Sequence, residues 1–332
     1  MERLKKNPMA RYIPSQFEVE QLCKQYRVGD LVSIDKELGG MFNVNLKIST
    51  TSGQYVIRVH SGLSREDHLN AENAILEKLR SHGIPVLFPL HTIEGFYFLN
   101  LHHRFVQLTP FVQGTPFKFT REQVYNCGKL LKRFHHTLKS ECEIPAPFWS
   151  NYPSQNILKE GLELLKNDQK ELHEETQIKD VEHLYNEVME QWLPNEKFLS
   201  KSIIHGDWHP WNVLFNDDNE IEYILDFDFI QKGECIHDIA YFLWTIKNEA
   251  NKEELGRHFI KGYGPLSRIE VELLPIAIAR ASLFFLCTAS FVADPSSELQ
   301  EQIKVQKPYI EWLLSSDGKS SIKKLTMTKT KK

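Results

Sequence analysis

Two neighbouring stretches decide how this chain of 332 residues folds: IIHGDWHPWNVLF at Ile203–Phe215 and YILDFDF at Tyr223–Phe229. The apolar run that opens the first stretch predicts a strand leading into a polar loop. The Asn and Asp residues between the two stretches predict a tight turn, so the apolar runs on either side favour a hairpin. This order allows Asp207, Asn212 and Asp226 to converge on one ion.

These three side chains are the groups that phosphoryl transfer requires. The reaction needs one carboxylate that accepts the proton of the attacking hydroxyl, and oxygen ligands that hold magnesium against the nucleotide phosphates. Asp207 would meet the first need, and Asn212 and Asp226 would meet the second. The two stretches therefore predict a phosphotransfer site.

The arrangement resembles the catalytic core of the aminoglycoside phosphotransferase and choline kinase superfamily, the protein-kinase-like small-molecule kinases. The resemblance implies that Asp207 is the catalytic base and that Asn212 and Asp226 bind the metal. Protein kinases have glycine two residues after the metal-binding aspartate, whereas this chain has Asp228. The small-molecule branch commonly has an acid there, so the resemblance adds Asp228 to the metal ligands.

Other residues of this region are expected to support the loop. His237-Asp238-Ile239-Ala240 is similar to a segment of the same superfamily whose aspartate braces the catalytic loop, which implies that role for Asp238. His205 is predicted to be structural, hydrogen-bonding the loop backbone, and His209 is predicted to be a turn residue.

The resemblance implies an α+β, bilobal, protein-kinase-like fold. A small, β-rich, nucleotide-binding lobe would span residues 1–108, a hinge 109–114, and a larger, mainly helical catalytic and substrate lobe 115–318. Residues 318–332 contain six lysines and no acid, so residues 319–332 are predicted to form a basic, disordered tail.

The N-terminal third has a pair of glycines between two predicted strands, Asp30–Asp35 and Met41–Ser49. Glycines at a hairpin tip let backbone N–H groups approach phosphates without a Cβ in the way. Gly39 and Gly40 resemble the Gly-Gly-x-x-Asn pattern of the superfamily, which places Asn43 at the asparagine position. A plain β-turn is the alternative interpretation of the two glycines.

A third strand, Gln54–Val59, matches the one that normally carries a phosphate-contacting lysine, but the residue here is Arg58. A guanidinium group can donate two hydrogen bonds at once to phosphate oxygens. Apolar residues at a helical period predict a helix over Glu66–Ser81, and the resemblance makes Glu72 the ion-pair partner of Arg58. Beyond a further strand, Thr109 and Phe111 fall in the hinge whose backbone holds adenine in this superfamily.

Two features of the sequence concern the acceptor, the small molecule that would receive the phosphoryl group. Residues 157–196 hold eleven acids against four lysines, which fits either a solvated helix face or a cradle for a polycationic substrate. Trp208 and Trp211 are candidates for lining a substrate pocket, although core packing is the alternative, particularly for Trp211.

Composition and hydropathy bear on location. The formal charge of −4 offers no general attraction to nucleic acid or to membranes. Leu273–Ala293 is nearly long enough to span a membrane, but its central Arg280 favours a buried helix. Met1–Arg11 lacks the apolar run of a signal peptide, so we expect a cytoplasmic protein. Five cysteines without a C-x-x-C spacing are expected to be reduced packing residues.

Together these features predict a kinase that uses ATP and Mg²⁺ to phosphorylate a hydroxyl of a small molecule. Aminoglycosides, amino alcohols, homoserine and sugars are all candidate acceptors, and the oligomeric state and the choice of ATP over GTP stay open. One alternative is a non-catalytic kinase-like binding or structural protein of the spore-coat type. Another is a metal-dependent hydrolase with a transition-metal site at His205, Asp207 and His209, because imidazole and carboxylate suit zinc or iron.

Overall fold

The structure of this chain is a computed structural model that describes residues 11–40, 42–140, 143–167, 175–250, 252–292 and 294–327. It divides into two units. The first contains the residues up to Thr115 together with Ile144–Phe148 and Glu222–Leu225, and the second contains the remainder.

The first unit is built on a five-stranded antiparallel sheet. Its strands are β1 (Leu31–Glu37), β2 (Val44–Thr50), β3 (Gly53–Val59), β4 (Leu99–Leu101) and β5 (Arg104–Pro110), in the order β1-β2-β3-β5-β4. Alternate residues of β2 are buried, because successive side chains of a strand point to opposite faces.

Two helices complete the described part of the first unit, α1 (Gln16–Gln25) and α2 (Glu66–Ser81). Ser15 and Glu18 form a capping box that satisfies backbone N–H groups at the start of α1. The apolar residues Leu69, Ile75, Leu76 and Leu79 lie on the buried face of α2. This helix has the bounds that its apolar period predicts.

The second unit is mainly helical. Its helices are α3 (Arg121–Leu138), α4 (Gln155–Asn167), α5 (Glu175–Trp192), α6 (Ile236–Ala250), α7 (Glu253–Tyr263), α8 (Arg268–Cys287), α9 (Pro295–Leu314) and α10 (Ser316–Thr326). This helical content and the β-rich first unit confirm the predicted α+β class.

Short strands lie around the two motif stretches. β6 (Lys201–Ile204) pairs with β9 (Gln231–Glu234), and β7 (Val213–Phe215) forms a two-stranded sheet with β8 (Ile221–Ile224). The β7–β8 pair is the hairpin predicted around the Asn and Asp turn. Asn216 closes that turn, because its side-chain oxygen accepts the backbone N–H groups of Asp218 and Glu220.

Helix α8 is the apolar segment that the sequence singles out. Over Arg268–Phe291 the chain is long and apolar enough to cross a membrane, but 89% of its most apolar window is buried inside the protein. Arg280 is buried as well, where its guanidinium lies 3.6 Å from the centroid of the Trp192 ring and donates to the Pro153 carbonyl at 2.6 Å. The segment is therefore a core helix of the second unit, as its arginine predicts.

The C-terminal segment differs from the prediction of a disordered tail from residue 319. Ser315 caps helix α10 by accepting the N–H of Gly318, and Ile322 is buried. Capping and burial of this apolar residue outweigh the mutual repulsion of Lys323 and Lys324, so the helix continues to Thr326. The remainder of the predicted tail, 328–332, lies outside the described residues.

Four cysteines, Cys23, Cys127, Cys235 and Cys287, are buried free thiols, as predicted, and Cys142 lies outside the described residues.

Candidate active site

The first motif loop begins where β6 ends and turns sharply at Gly206. This residue has φ +79°, and a Cβ added to it would lie 2.4 Å from the carbonyl oxygen of Phe229. A side chain would therefore be strained by its backbone conformation and would also collide with the chain. Glycine is what allows the loop of Asp207 to approach the segment that follows Asp226.

Asp238, at the start of α6, holds this loop by its backbone. Its carboxylate accepts the N–H of His205 at 2.9 Å and the N–H of Gly206 at 3.0 Å, and the side chain is fully buried. His135 of α3 adds a third contact, with Nε2 2.9 Å from Asp238 Oδ2. The loop that carries Asp207 is thus tied to two helices of the second unit.

His135 and Asp238 form a buried, hydrogen-bonded pair. Burial opposes ionisation of the carboxyl, but the hydrogen bond and charge of His135 hold the pKa of Asp238 below its usual value. Burial also disfavours the protonated imidazole, yet contacts with Cys235, Tyr263 and Asp238 raise the pKa of His135 well above its usual value. Two buried titratable side chains in direct contact therefore lie behind the loop.

His205 is buried, and its predicted role of hydrogen-bonding the loop backbone stays a prediction. Its ring is completely buried against Phe134, Trp208 and Phe227, with centroid distances of 6.1, 5.5 and 5.0 Å. Burial lowers the pKa of His205, which favours the neutral imidazole. Among the residues that the structure describes, no group of three or more His, Cys, Asp or Glu side chains could hold a metal ion, which gives the transition-metal alternative no support.

The Asp207 carboxylate is surrounded by hydrogen-bond donors. Asn212 Nδ2 lies 2.9 Å from Oδ2 and 3.0 Å from the Asp207 backbone oxygen. His209 Nε2 lies 3.3 Å from Oδ2, and Asn151 Nδ2 lies 2.9 Å from Oδ1 and 3.4 Å from the Tyr241 hydroxyl. These contacts fix the orientation of Asp207, which is 7% exposed.

Three of these side chains were not predicted to lie at the site. The sequence predicts only a turn role for His209 and no site role for Tyr241 or Asn151. Burial, and secondarily the nearby Asp207, raise the pKa of Tyr241 well above its usual value, so its phenol stays protonated and can donate. Tyr241 lies one helical turn from Asp238 on α6, a spacing that places both on one face and could have identified it.

Asp226-Phe227-Asp228 follows β8. Phe227 is buried and stacks on Phe134 at a centroid distance of 6.4 Å, whereas the two aspartates are partly exposed. Asp226 has φ +60°, a left-handed conformation that Asp tolerates better than most residues. The buried ring anchors a segment on which two carboxylates remain accessible.

Asn212 has a side-chain oxygen that could bind a cation, and it belongs to the second unit, as Asp226 and Asp228 do. Because an ionised carboxylate only accepts hydrogen bonds, the Asn212 NH₂ group faces Asp207 and its Oδ1 points elsewhere. Within the part of the chain that the structure describes, no donor occupies that oxygen. Asn212, Asp226 and Asp228 thus offer the oxygen ligands that a hard divalent cation prefers.

The predicted phosphate-covering glycines lie in the first unit, after β1. Gly39 and Gly40 have φ +91° and +131°, and a Cβ on Gly40 would lie 2.7 Å from the Asn43 carbonyl oxygen. Asn45 donates to the Gly39 carbonyl at 2.9 Å. Asn43 is buried, and its side-chain oxygen accepts the N–H of Ser61 at 2.9 Å. Asn43 therefore ties segments of the first unit together.

Arg58 and Glu72 also belong to the first unit. Arg58 is partly buried on β3, opposite Gln107 of β5, and Glu72 is buried on α2. Gln107 donates to Asn73, the neighbour of Glu72, at 3.3 Å. This hydrogen bond positions α2 against the strand next to Arg58, and the predicted pairing of Arg58 with Glu72 stays a prediction.

The predicted hinge residues are partly engaged in the sheet. Thr109 pairs with Val56 as part of β5, and the Phe111 N–H donates to the Gln54 carbonyl at 2.9 Å. Lys47 Nζ lies 4.1 Å from the centroid of the Phe111 ring. The Phe111 N–H is thus already used, and the predicted contact of Thr109 and Phe111 with adenine stays a prediction.

Core packing was the alternative mainly for Trp211, but it is Trp208 that lies in the core. Trp208 is 1% exposed and packs on His205 and Phe134, whereas Trp211 is 54% exposed. The 3₁₀ turn Pro210–Asn212 turns Asn212 towards Asp207, which leaves Trp211 on the surface.

The acidic stretch is partly neutralised by ion pairs with lysines. These pairs are Lys166 with Glu182 at 2.5 Å, Lys179 with Glu175 at 2.5 Å, and Lys307 with Asp180. They favour a solvated helix face over a cradle for a polycation.

Comparisons with known proteins give the relatives and the solved structures to which this chain is similar. The homoserine kinase of Agrobacterium fabrum strain C58 is 26% identical over 309 residues, covering 89% of this chain and 91% of the relative. A solved amicoumacin kinase in complex with AMP-PNP, Ca²⁺ and Ami superposes with a TM-score of 0.70 at 17% identity, over 93% of this chain and 96% of that one. A microcompartment-associated aminopropanol kinase superposes with a TM-score of 0.62 at 16% identity, over 92% and 99%.

The two solved structures establish the fold. The family assignment rests on a separate match, because residues 38–272 fit the phosphotransferase enzyme family. That match includes the predicted glycine tip and both motif stretches. The chain therefore belongs to the phosphotransferase enzyme family and is a small-molecule kinase.

Proposed function

We propose that this enzyme transfers the terminal phosphoryl group of ATP, in the presence of Mg²⁺, to a hydroxyl of a small molecule, with Asp207 as the catalytic base. The observation that carries this proposal is the environment of Asp207. Its carboxylate is oriented by the side chains of Asn151, Asn212 and His209, and it lies on a loop that Asp238 holds by two backbone N–H groups.

Asp207 is suited to orient the acceptor hydroxyl and to take its proton. Phosphoryl transfer asks mainly for positioning and charge stabilisation, so a rigidly held carboxylate is more useful than a mobile one. The donors around Asp207 restrict its rotation, and the buried pair behind the loop prevents the backbone from shifting.

Asn212, Asp226 and Asp228 would hold the divalent cation. Their oxygens suit Mg²⁺, which when bound neutralises charge on the phosphates. The amicoumacin kinase complex with AMP-PNP and Ca²⁺ supports the use of ATP and a divalent cation. The choice of Mg²⁺ rests on the hard oxygen ligands of this chain.

The first unit would supply the nucleotide contacts. Gly39 and Gly40 leave backbone N–H groups open to phosphate oxygens, and Arg58, paired with Glu72, would add a two-point contact. Adenine would lie against the chain at Thr109 and Phe111. We also place the protein in the cytoplasm, where ATP is available and where buried free thiols stay reduced.

Among acceptors, small alcohols are favoured over polycationic aminoglycosides. The relatives named homoserine kinase and the structurally similar aminopropanol kinase point to small amine-bearing alcohols.

A screen of ATP consumption tests the proposal. The purified chain is incubated with ATP and Mg²⁺ and with homoserine, aminopropanol, aminoglycosides or sugars, and acceptor-dependent ADP release is measured. We expect turnover with at least one small alcohol, and loss of turnover when EDTA removes the cation. The alternative, a non-catalytic binding or structural protein, would show no turnover with any acceptor. The melting temperature measured with and without ATP and Mg²⁺ then shows whether the nucleotide site is intact, because a bound nucleotide raises the melting temperature.

A further inference from the structure

Asn151 contacts the proposed base through only one end of its carboxamide. Its Nδ2 lies 2.9 Å from Asp207 Oδ1 and 3.4 Å from the Tyr241 hydroxyl. A carboxylate accepts hydrogen bonds and cannot donate them, so the NH₂ end of the carboxamide must face Asp207. The orientation of the Asn151 amide is therefore settled by chemistry, and its Oδ1 is directed away from the carboxylate.

That oxygen has no donor within the part of the chain that the structure describes, and Asn151 is partly exposed. The two carboxamides at Asp207 are thus alike in orientation. The oxygen of Asn212 is assigned to the metal, whereas the oxygen of Asn151 is an accessible acceptor next to the base. A ligand that approaches Asp207 meets both acceptors.

The segment that carries Asn151 is firmly anchored. Tyr152, the next residue, donates from its hydroxyl to the buried Glu234, and the Pro153 carbonyl accepts a hydrogen bond of 2.6 Å from the buried Arg280. On the other side, Trp149 packs edge-on against Phe284 and Phe291, with centroid distances of 6.2 and 5.6 Å. Anchors on both sides hold the carboxamide in place, which a selective contact requires.

We propose that Asn151 is a specificity-determining residue that selects acceptors whose N–H donor is separated from the reacting hydroxyl by two or three carbon atoms, namely small amino alcohols. This inference rests on the proposed function. The hydroxyl would donate to Asp207 while the neighbouring ammonium donates to Asn151 Oδ1. The anionic carboxylate of Asp207, 2.9 Å from the Asn151 amide, favours a cationic amine over a neutral donor.

A methylation series separates hydrogen bonding from charge and size. Ethanolamine and its dimethyl derivative both keep an N–H donor when protonated, whereas choline has the charge but no N–H. Ethylene glycol has a second hydroxyl that is a neutral O–H donor. Propanol has neither a second donor nor a charge. The value of kcat/KM for each alcohol is compared between the wild type, Asn151→Ala and the control Asn248→Ala, which changes an exposed asparagine of α6.

We expect the wild type and Asn248→Ala to prefer dimethylethanolamine over choline by about tenfold, as one hydrogen bond provides. Asn151→Ala should reduce this ratio to near unity. An unchanged ratio in Asn151→Ala, or no preference in the wild type, would overturn the proposal. Equal use of ethylene glycol and ethanolamine would overturn the assignment to amino alcohols.

Calorimetric binding of the same alcohols without nucleotide keeps the test independent of turnover. If Asn151→Ala is folded but inactive because Asp207 has lost a contact, the ratio of the dissociation constants of dimethylethanolamine and choline still decides the question. If the wild type turns over no alcohol at all, the proposed function fails. Selective binding that depends on Asn151 would then still support the site, and unselective binding would overturn it.

Discussion

Asp238 accepts the backbone N–H of Gly206 at 3.0 Å, so a fully buried carboxylate on a helix fixes the residue that immediately precedes the proposed base. The same carboxylate accepts the N–H of His205 and contacts His135. The position of Asp207 is therefore decided by the packing of α3 and α6, and it can be perturbed without changing Asp207 itself.

Replacing the proposed base should separate chemistry from nucleotide binding. We expect Asp207→Asn to lower kcat by about 10²–10⁴-fold, the range of general base catalysis, while ATP affinity stays close to that of the wild type. Steady-state turnover and calorimetric titration with ATP measure the two effects. Asp217→Asn, in the exposed turn after β7, is the matched control and should retain activity. Turnover of Asp207→Asn at the wild-type rate would refute the base assignment.

The two partly exposed aspartates after β8 should differ in their effect on metal use. Asp226→Ala should raise the Mg²⁺ concentration needed for half-maximal activity, because it removes an anionic oxygen ligand from a hard cation. The Mg²⁺ dependence of Asp226→Ala and Asp228→Ala is compared at saturating ATP, with Asp218→Ala of the exposed turn as control. If only Asp228→Ala shifts the dependence, Asp228 is the principal ligand.

Gly206 should tolerate no side chain. Gly206→Ala combines the cost of a left-handed conformation, about 1–2 kcal/mol, with a collision at the Phe229 carbonyl, so we expect a larger loss of unfolding free energy and reduced turnover. Gly95→Ala is the control, because Gly95 has a similar φ of +88° but no atom within 4 Å of the added Cβ. Chemical denaturation compares the two variants. Equal losses would show that the collision relaxes without cost.

The buried pair of His135 and Asp238 behind the loop predicts a pH dependence of stability. The raised pKa of His135 means that the folded state binds this proton more tightly than the unfolded state, whose imidazole has a pKa of about 6.5. Its stabilisation is therefore complete below about pH 6.5 and is lost as pH rises through the folded value. The lowered pKa of Asp238 acts oppositely, contributing above its unfolded value of about 3.9 and losing that contribution in acid.

The variant His135→Gln tests this assignment. Glutamine can still donate to Asp238 but does not titrate, so the decline of unfolding free energy on the alkaline side should become shallower. Denaturant unfolding from pH 6 to 9 measures the slope, and His183→Gln, whose side chain is 70% exposed, is the control. A slope identical to that of the wild type would mean that His135 does not carry the titration.

Arg58 provides a test of the nucleotide half of the site. Arg58→Lys keeps the charge but loses the planar two-point contact, and Arg58→Ala also leaves the buried Glu72 without its proposed partner. The apparent affinity for ATP should therefore fall in the order wild type, lysine, alanine. Equal KM values for ATP in the three proteins would remove Arg58 from the phosphate site.

Many features of this protein could be predicted from local patterns in its sequence. The apolar periods of α2 and β2 and the turn between β7 and β8 depend on neighbours in the chain, so they could be predicted from the residues alone. The order of the motif residues likewise predicted the family, because phosphotransfer needs those side-chain types and they lie close together in sequence.

Tertiary structure alone decided what surrounds Asp207. Asn151 comes from 56 positions earlier in the chain and His135 lies 103 positions before Asp238, and no local period records such contacts. The burial of Trp208, the exposure of Trp211 and the helix over Ser316–Thr326 were also settled by packing. A buried carboxylate must accept hydrogen bonds, so the fold must bring donors close to Asp207. The donors have to lie near Asp207 in space, but they can come from any part of the sequence.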